Sequence, residues 1–289
     1  MFINVREKIY GKTFDAERSL YHLVGADVES CVFAGPADGE SVLKECRDIV
    51  VKDSTFSLRY PLWHVKNFCV RNSNFDEKAR AALWYGEDGF FEDCRVNSIK
   101  ILRECRNVDF SGCDIKSLEF GWKCDGIRVS NSRIESEYIF LDSKNVLIQG
   151  LKMKGKYSFQ YMENLVIEDS VLDTKDAFWH SKNVTVRNCV IKGEYLGWFS
   201  EGLTLIECEI IGTQPLCYCK DLTLINCTME GCDLAFEYSD VQATVIGHID
   251  SIKNPRSGKI YADSVGEVIM EDAAMECTGE FIVRDPADL

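Results

Sequence analysis

The sequence predicts an all-β fold: a single-stranded, right-handed parallel β-helix of about 12 coils, each of about 19 residues. Three observations carry this expectation. Asn107, Gly126, Asn145, Asn164, Asn183, Gly202 and Asp221 recur at a strict interval of 19 residues. Between such positions apolar and polar residues alternate, as in Val108/Phe110, Ile127/Val129, Val146/Ile148, Leu165/Ile167, Val184/Val186 and Leu203/Leu205. Period 2 is the signature of a strand with one buried face. Further columns of Asn, Asp, Gly and Ser then divide each repeat.

The first column begins at Gly25, Asp48, Asn67 and Asp88, where small insertions stretch two of the gaps. Asn, Asp and Gly tolerate positive φ, so the column marks a corner turned by a left-handed residue. A second corner lies five residues on, at Asp53, Asn72, Asp93, Gly112, Asn131, Gly150, Asp169, Asn188 and Asn226. A third lies ten residues on, at Ser117, Ser136, Gly155, Gly193, Gly212 and Gly231. Each coil is thus about three short strands around a triangular section. Stacked coils bury one continuous core and satisfy each other's backbones. Parallel crossovers are overwhelmingly right-handed, which sets the expected hand. One domain over 1–289 is expected: 1–13 as an N-terminal cap, 14–250 as regular coils, and 251–289 as an irregular last coil and C-terminal cap. Asn254-Pro-Arg-Ser-Gly258 reads as a loop and Val268–Met270 as a last strand.

Composition narrows the partners. With 33 basic and 47 acidic residues the net charge is −14, which disfavours phosphate backbones and anionic membranes. Neither nucleic acid nor a membrane is an expected partner. No run of 18 apolar residues is present, and the first residues lack the pattern of a secretory signal. Fourteen cysteines in such a chain point to a reducing cytoplasm and free thiols. Cys31, Cys94, Cys113, Cys189, Cys208 and Cys227 form one column, and Cys46, Cys105, Cys124 and Cys219 another, as small apolar groups in a core. No ligand spacing for a metal, no phosphate loop and no hydrolase or zinc-protease motif occurs, so no metal and no cofactor are expected.

The third side of each coil carries the unusual residues. Its inward column is apolar or small: Leu43, Leu62, Leu83, Leu102, Gly121, Phe140, Phe159, Phe178, Gly197 and Leu216. The next column holds all five tryptophans, Trp63, Trp84, Trp122, Trp179 and Trp198, with Tyr21, Lys44 and Arg103 among them. By alternation it faces outward, and an outward aromatic column is not an ordinary solvated face. Beside it run Glu17, Glu40, Arg59 and Arg80 on one flank, and His22, Glu45, His64, Tyr85, His180 and Phe199 on the other.

Several stretches here carry a family resemblance: Phe14–Tyr21, Asp38–Glu45, Phe56–His64, Arg80–Tyr85, Ile99–Glu104 and Glu119–Trp122. Over nearly its whole length the chain resembles a bacterial family known only as a domain of unknown function. The resemblance implies a right-handed, pectin-lyase-like parallel β-helix. It implies no activity and no site residues.

Two functional readings follow from the residues. In the first, the N-terminal coils bind a saccharide in a groove lined by Lys44, Trp63, His64, Trp84, Tyr85, Arg103 and Trp122. Cleavage there would make the chain a glycoside hydrolase, with Glu17 and Glu40 as the carboxylate pair, or a polysaccharide lyase, with Arg59 and Arg80 as base and clamp. The competing account of those four residues is a salt-bridge ladder. In the second reading the chain is a non-catalytic assembly protein and the aromatic column is a homo-oligomer contact. His64 and His180 lie too many coils apart to share a metal or an acid–base pair.

Overall fold

The computed structural model describes residues 6–284. None of them is helical, and strands follow one another from Glu7–Tyr10 to Glu280–Val283. The chain is a parallel β-solenoid of about 15 turns rather than 12. The extra turns come from the ends, where the motif fades but the pairing persists. Glu7–Tyr10 already pairs in register with Ala26–Glu29. At the other end Asp240–Val245, Ser257–Ala262 and Glu280–Val283 continue the same face. The strand at Ser264–Ile269 takes in Val268 and Ile269 of the expected last strand but not Met270, and the later one at Glu280–Val283 was not foreseen because too few residues there repeat.

Two compact units divide the chain, Met1–Leu147 and Ile148–Leu289. In the first, one face stacks Ile9, Val28, Val51, Val70, Phe91, Phe110 and Val129 in register. A second face stacks Phe14, Phe33, Phe56, Phe75, Val96, Ile115 and Ile134. In the second unit Ile167, Val186, Leu205, Leu224, Ala243 and Ile260 form the first column, and Met153, Leu172, Ile191, Ile210 and Met229 the second. Identical faces meet because the 19-residue period equals one turn, so each side chain lands on its own copy.

The corners are left-handed as the sequence predicts. Asp48, Asn67, Asp88, Asn107, Asn145, Asn164, Asn183 and Asp221 all have φ between 48° and 58°. Just inside the second corner, serine and cysteine alternate in a single role. Ser54 Oγ accepts the N–H of Cys31, Ser132 Oγ that of Cys113, and Cys189 Sγ that of Ser170. A buried N–H needs a partner, and a hydroxyl or thiol supplies one without leaving the core. The cysteines are therefore more than apolar filling. All fourteen are free and twelve are buried. Burial pushes the Cys46 and Cys219 thiols up to about 11. They stay protonated and donate to the carbonyls of Leu20 and Gly197.

The third side departs from expectation. It is a true strand only at Ile101–Arg103, Glu119–Trp122 and the end of Arg133–Ile139. Along most of it, Ile101–Arg103 included, every second residue is left-handed, as at Tyr60, Leu62 and His64 (φ 59°, 59° and 55°), Lys100, Leu102 and Glu104 (φ 60°, 62° and 50°) or Asp176, Phe178 and His180 (φ 52°, 63° and 54°). Each left-handed non-glycine residue costs roughly 1–2 kcal/mol. Stacking holds them there, because their N–H groups point alternately to the coil on either side. Tyr60 N–H reaches Arg80 O, Leu62 N–H reaches Val42 O, and His64 N–H reaches Trp84 O, at 2.9–3.0 Å. Lys123 is an exposed member of this set at φ 54°. Replacing it with glycine removes the steric penalty, so Lys123→Gly is expected to raise the unfolding free energy by about 0.5–1 kcal/mol. Lys123→Val is expected to lower it, and denaturant titration of both variants would check the pair.

Candidate functional site

The ribbon of alternating hand explains where the tryptophans go. They are half-buried rather than fully outward. Each indole N–H lies along the next coil and donates to a carbonyl there. Trp63 donates to Ala81 O (2.7 Å), Trp84 to Lys100 O (2.7 Å) and Trp122 to Tyr138 O (3.2 Å). Trp179 donates to Tyr195 O (2.6 Å) and Trp198 to Gln214 O (2.8 Å). Gln160 occupies the same column and its amide does the same to Asp176 O. At these six coils the column thus has an architectural duty, capping a backbone carbonyl. Sequence alternation could show its face but not this bond.

Ring faces in the first unit are largely taken up within the column. Trp63 and Trp84 stack at 5.0 Å with planes 8° apart. The Arg103 guanidinium lies between Trp84 and Trp122, 4.7 and 5.0 Å from their rings. It also pairs with Glu119 at 2.9 Å, where Lys100 approaches to 3.6 Å. Cation–π contact and a shielded carboxylate hold Arg103 in place, so its charge is spent inside the column.

The flanks differ in how free they are. Glu17 accepts the backbone N–H of Glu40 at 3.0 Å and approaches Arg18 at 3.7 Å. Glu40 and Asp38 each lie 3.7 Å from Arg59. Arg80 leaves this chain of charges and sets its guanidinium 6.0 Å from the Tyr60 ring. On the other flank the Tyr21 hydroxyl donates to Glu45 at 2.7 Å. That bond lowers the Glu45 carboxyl below the usual range and raises the Tyr21 phenol, with Lys44, His64 and His22 adding to the effect on Glu45. His64 stacks on Tyr85 at 4.8 Å. The structure therefore brings Glu17, Glu40 and Arg59 into one contact chain, and Trp63, Trp84, Arg103 and Trp122 into another. Lys44, His64 and Arg80 stand beside them.

A second aromatic column was written in the sequence but not weighed there. In the second unit Tyr161, His180, Phe199 and Tyr218 stack in succession at 5.1, 5.0 and 4.8 Å, with Tyr238 following at 5.7 Å. Tyr161 is 54% exposed and Phe199 43%. The readable signal was the recurrence of an aromatic or His one residue after four of the five tryptophans, Trp63, Trp84, Trp179 and Trp198. Among the described residues no cluster of three or more His, Cys, Asp or Glu is placed to hold a metal.

The family described as protein of unknown function (DUF3737) matches residues 7–283. The chain belongs to that family. No curated protein matches it. Among solved structures it is similar to PfbA, a surface adhesin of Streptococcus pneumoniae. That match is 11% identical, covers 90% of this chain and 83% of that one, and has a TM-score of 0.55. The A-module of the mannuronan C-5 epimerase AlgE6 from Azotobacter vinelandii is 12% identical over 95% of this chain and 88% of that one, with a TM-score of 0.37. The polygalacturonase of Erwinia carotovora is 10% identical over 99% of each chain, with a TM-score of 0.34. At these identities the likeness to PfbA speaks for the fold alone, and the two weaker superpositions carry no argument about activity. The fold of this DUF3737 member is the right-handed, pectin-lyase-like β-helix that the sequence predicts.

Proposed function

We propose that this DUF3737 chain binds a saccharide polymer along the third side of its first unit, without cleaving it. The observation that carries the reading is the arrangement of Tyr21, Lys44, Glu45, His64 and Arg80, which project from successive coils beside a rigid aromatic column. Coils repeat at about 4.8 Å, close to the length of one sugar residue, so a polymer lying along them meets a similar set of donors and acceptors at each step. A neutral polymer fits best, because Arg59 and Arg103 already face Glu40, Asp38 and Glu119. Lys44 and Arg80 then serve as donors to hydroxyls, and Glu45 as an acceptor.

Binding is favoured over cleavage because the surface carboxylates suited to catalysis are engaged by neighbouring groups of the same chain. Glu17 is tied to the Glu40 backbone, and Glu40 faces Arg59. The test is an array of neutral and acidic glycans. Wild type is expected to retain a neutral polymer, and Lys44→Ala and Arg80→Ala are each expected to weaken it about tenfold, or ~1.4 kcal/mol. A wild-type protein that retains no glycan on the array would end this reading.

A further inference from the structure

The two ends of the core are finished differently. Ile9 begins the first column and is only 4% exposed. At the other end four fully buried residues have next-coil partners that are half-buried (Val265, Phe281) or exposed (Val268, Val283). Ile249 is followed in register by Val265 and Ile252 by Val268. Ile260 is followed by Phe281 and Ala262 by Val283. Val268 is 42% exposed and Val283 64%. The last coil of the second unit thus presents core-type side chains, with Met270 and Met275 exposed nearby. Its last strand, Glu280–Val283, pairs only with Ser257–Ala262 among the described residues. An apolar face beside an unpaired strand edge is a template for another strand.

We propose that this end is a two-fold interface with a second copy of the same chain, in which the Glu280–Val283 strands pair antiparallel. The edge is complementary to itself. With Ile282 on the two-fold axis, Ile282 faces its own copy and Phe281 faces the partner's Val283, while Arg284 stays paired with Asp263 of its own chain at 3.2 Å. Apolar meets apolar across one register, as a closed two-fold contact requires.

The hydrogen bonds agree with the same register. Arg284 N–H turns inward to Ala262 O at 2.9 Å. By alternation along the strand, the N–H and C=O of Phe281 and Val283 turn toward the free edge. Those two residues are the ones the register sets opposite each other, so they exchange both bonds. Ile282 then sits at a non-hydrogen-bonded site, with Cα atoms about 4.5 Å apart across the axis. Pairing would also join Val265, Val268, Phe281 and Val283 of each copy into a shared core. This surface does not depend on the saccharide-binding reading, which concerns the first unit.

Light scattering and sedimentation equilibrium on the full chain test it, with circular dichroism reporting whether each variant is folded. Wild type is expected to be a dimer. Val283→Asp and Phe281→Asp are each expected to raise the dimer Kd at least tenfold. Ile282→Lys, which sets two like charges opposite each other on the axis, is expected to do so even if the apolar variants fail to fold. In a Cys277→Ser background, Ile282→Cys is expected to give a covalent dimer with diamide, which takes up the two electrons and two protons released by the introduced thiols. A wild-type monomer at every soluble concentration overturns the proposal. So does a dimer that ignores Ile282→Lys and Val283→Asp but dissociates with Trp84→Asp.

Discussion

Phe56→Ala is expected to lower the unfolding free energy by about 3–5 kcal/mol, the range for removing a large aromatic side chain from a core. Phe56 has no exposed surface and lies between two copies of itself. Its ring stacks on Phe33 at 4.6 Å and on Phe75 at 4.3 Å, with planes 18° and 4° apart. Stacked pairs contribute roughly 0.5–1.5 kcal/mol beyond burial. The neighbours cannot close over the gap, because Phe33 and Phe75 are fixed by the same parallel register that places Phe56. In a solenoid each coil touches only its neighbours, so the damage should concentrate there. Hydrogen exchange is expected to show lost protection around 33, 56 and 75 before the rest of the chain. Denaturant titration measures the whole, and a loss under ~1 kcal/mol would mean the column can relax after all.

Gly193→Ala is expected to cost at least about 3 kcal/mol, in the class of changes that violate a backbone constraint. Gly193 has φ 152°, and a methyl group there would lie 1.6 Å from Thr174 O and 2.6 Å from its carbonyl carbon. Neither atom can retreat. Thr174 N–H bonds to Lys192 O and Gly193 N–H to Ile211 O, both at 2.8 Å, so the coils on either side hold the corner shut. Gly212→Ala meets the same obstacle, with Gly193 O at 2.2 Å. Gly231 is the internal control. Its φ is 62° and nothing lies within 4 Å of an added methyl. Gly231→Ala should therefore cost only the left-handed penalty of roughly 1–2 kcal/mol. Thermal or denaturant unfolding of the three variants separates the two effects, and equal losses at Gly193 and Gly231 would rule out the steric argument.

The period of 19 was legible because it follows from local chemistry repeated at one spacing. Asn and Asp at the corners declare left-handed backbone, and alternating Val, Ile and Leu declare two strand faces. Both features need only a residue and its near neighbours in sequence. The number of turns was less legible. Glu7–Tyr10, Ser257–Ala262 and Glu280–Val283 join the first face through pairing with the coil before or after, and their own residues do not repeat the motif.

The candidate face divides along the same line. That Trp63, Trp84, Arg103 and Trp122 share a column could be counted off the chain. That each indole caps a carbonyl, and that Arg103 is held between two rings and a carboxylate, could not. Those contacts join residues 16 to 19 positions apart. Similarly, Glu17 and Glu40 were foreseen as neighbours on successive coils, but the Glu17 carboxylate turns to a backbone N–H. Its direction depends on the ribbon of alternating hand, which exists only because the adjoining coils bond to both of its edges. Residue order thus set the fold class, the corners and the composition of every column. The direction of each side chain within a column, and which rings and charges remain free to meet a ligand, came from stacking, because those choices are made by the coils above and below.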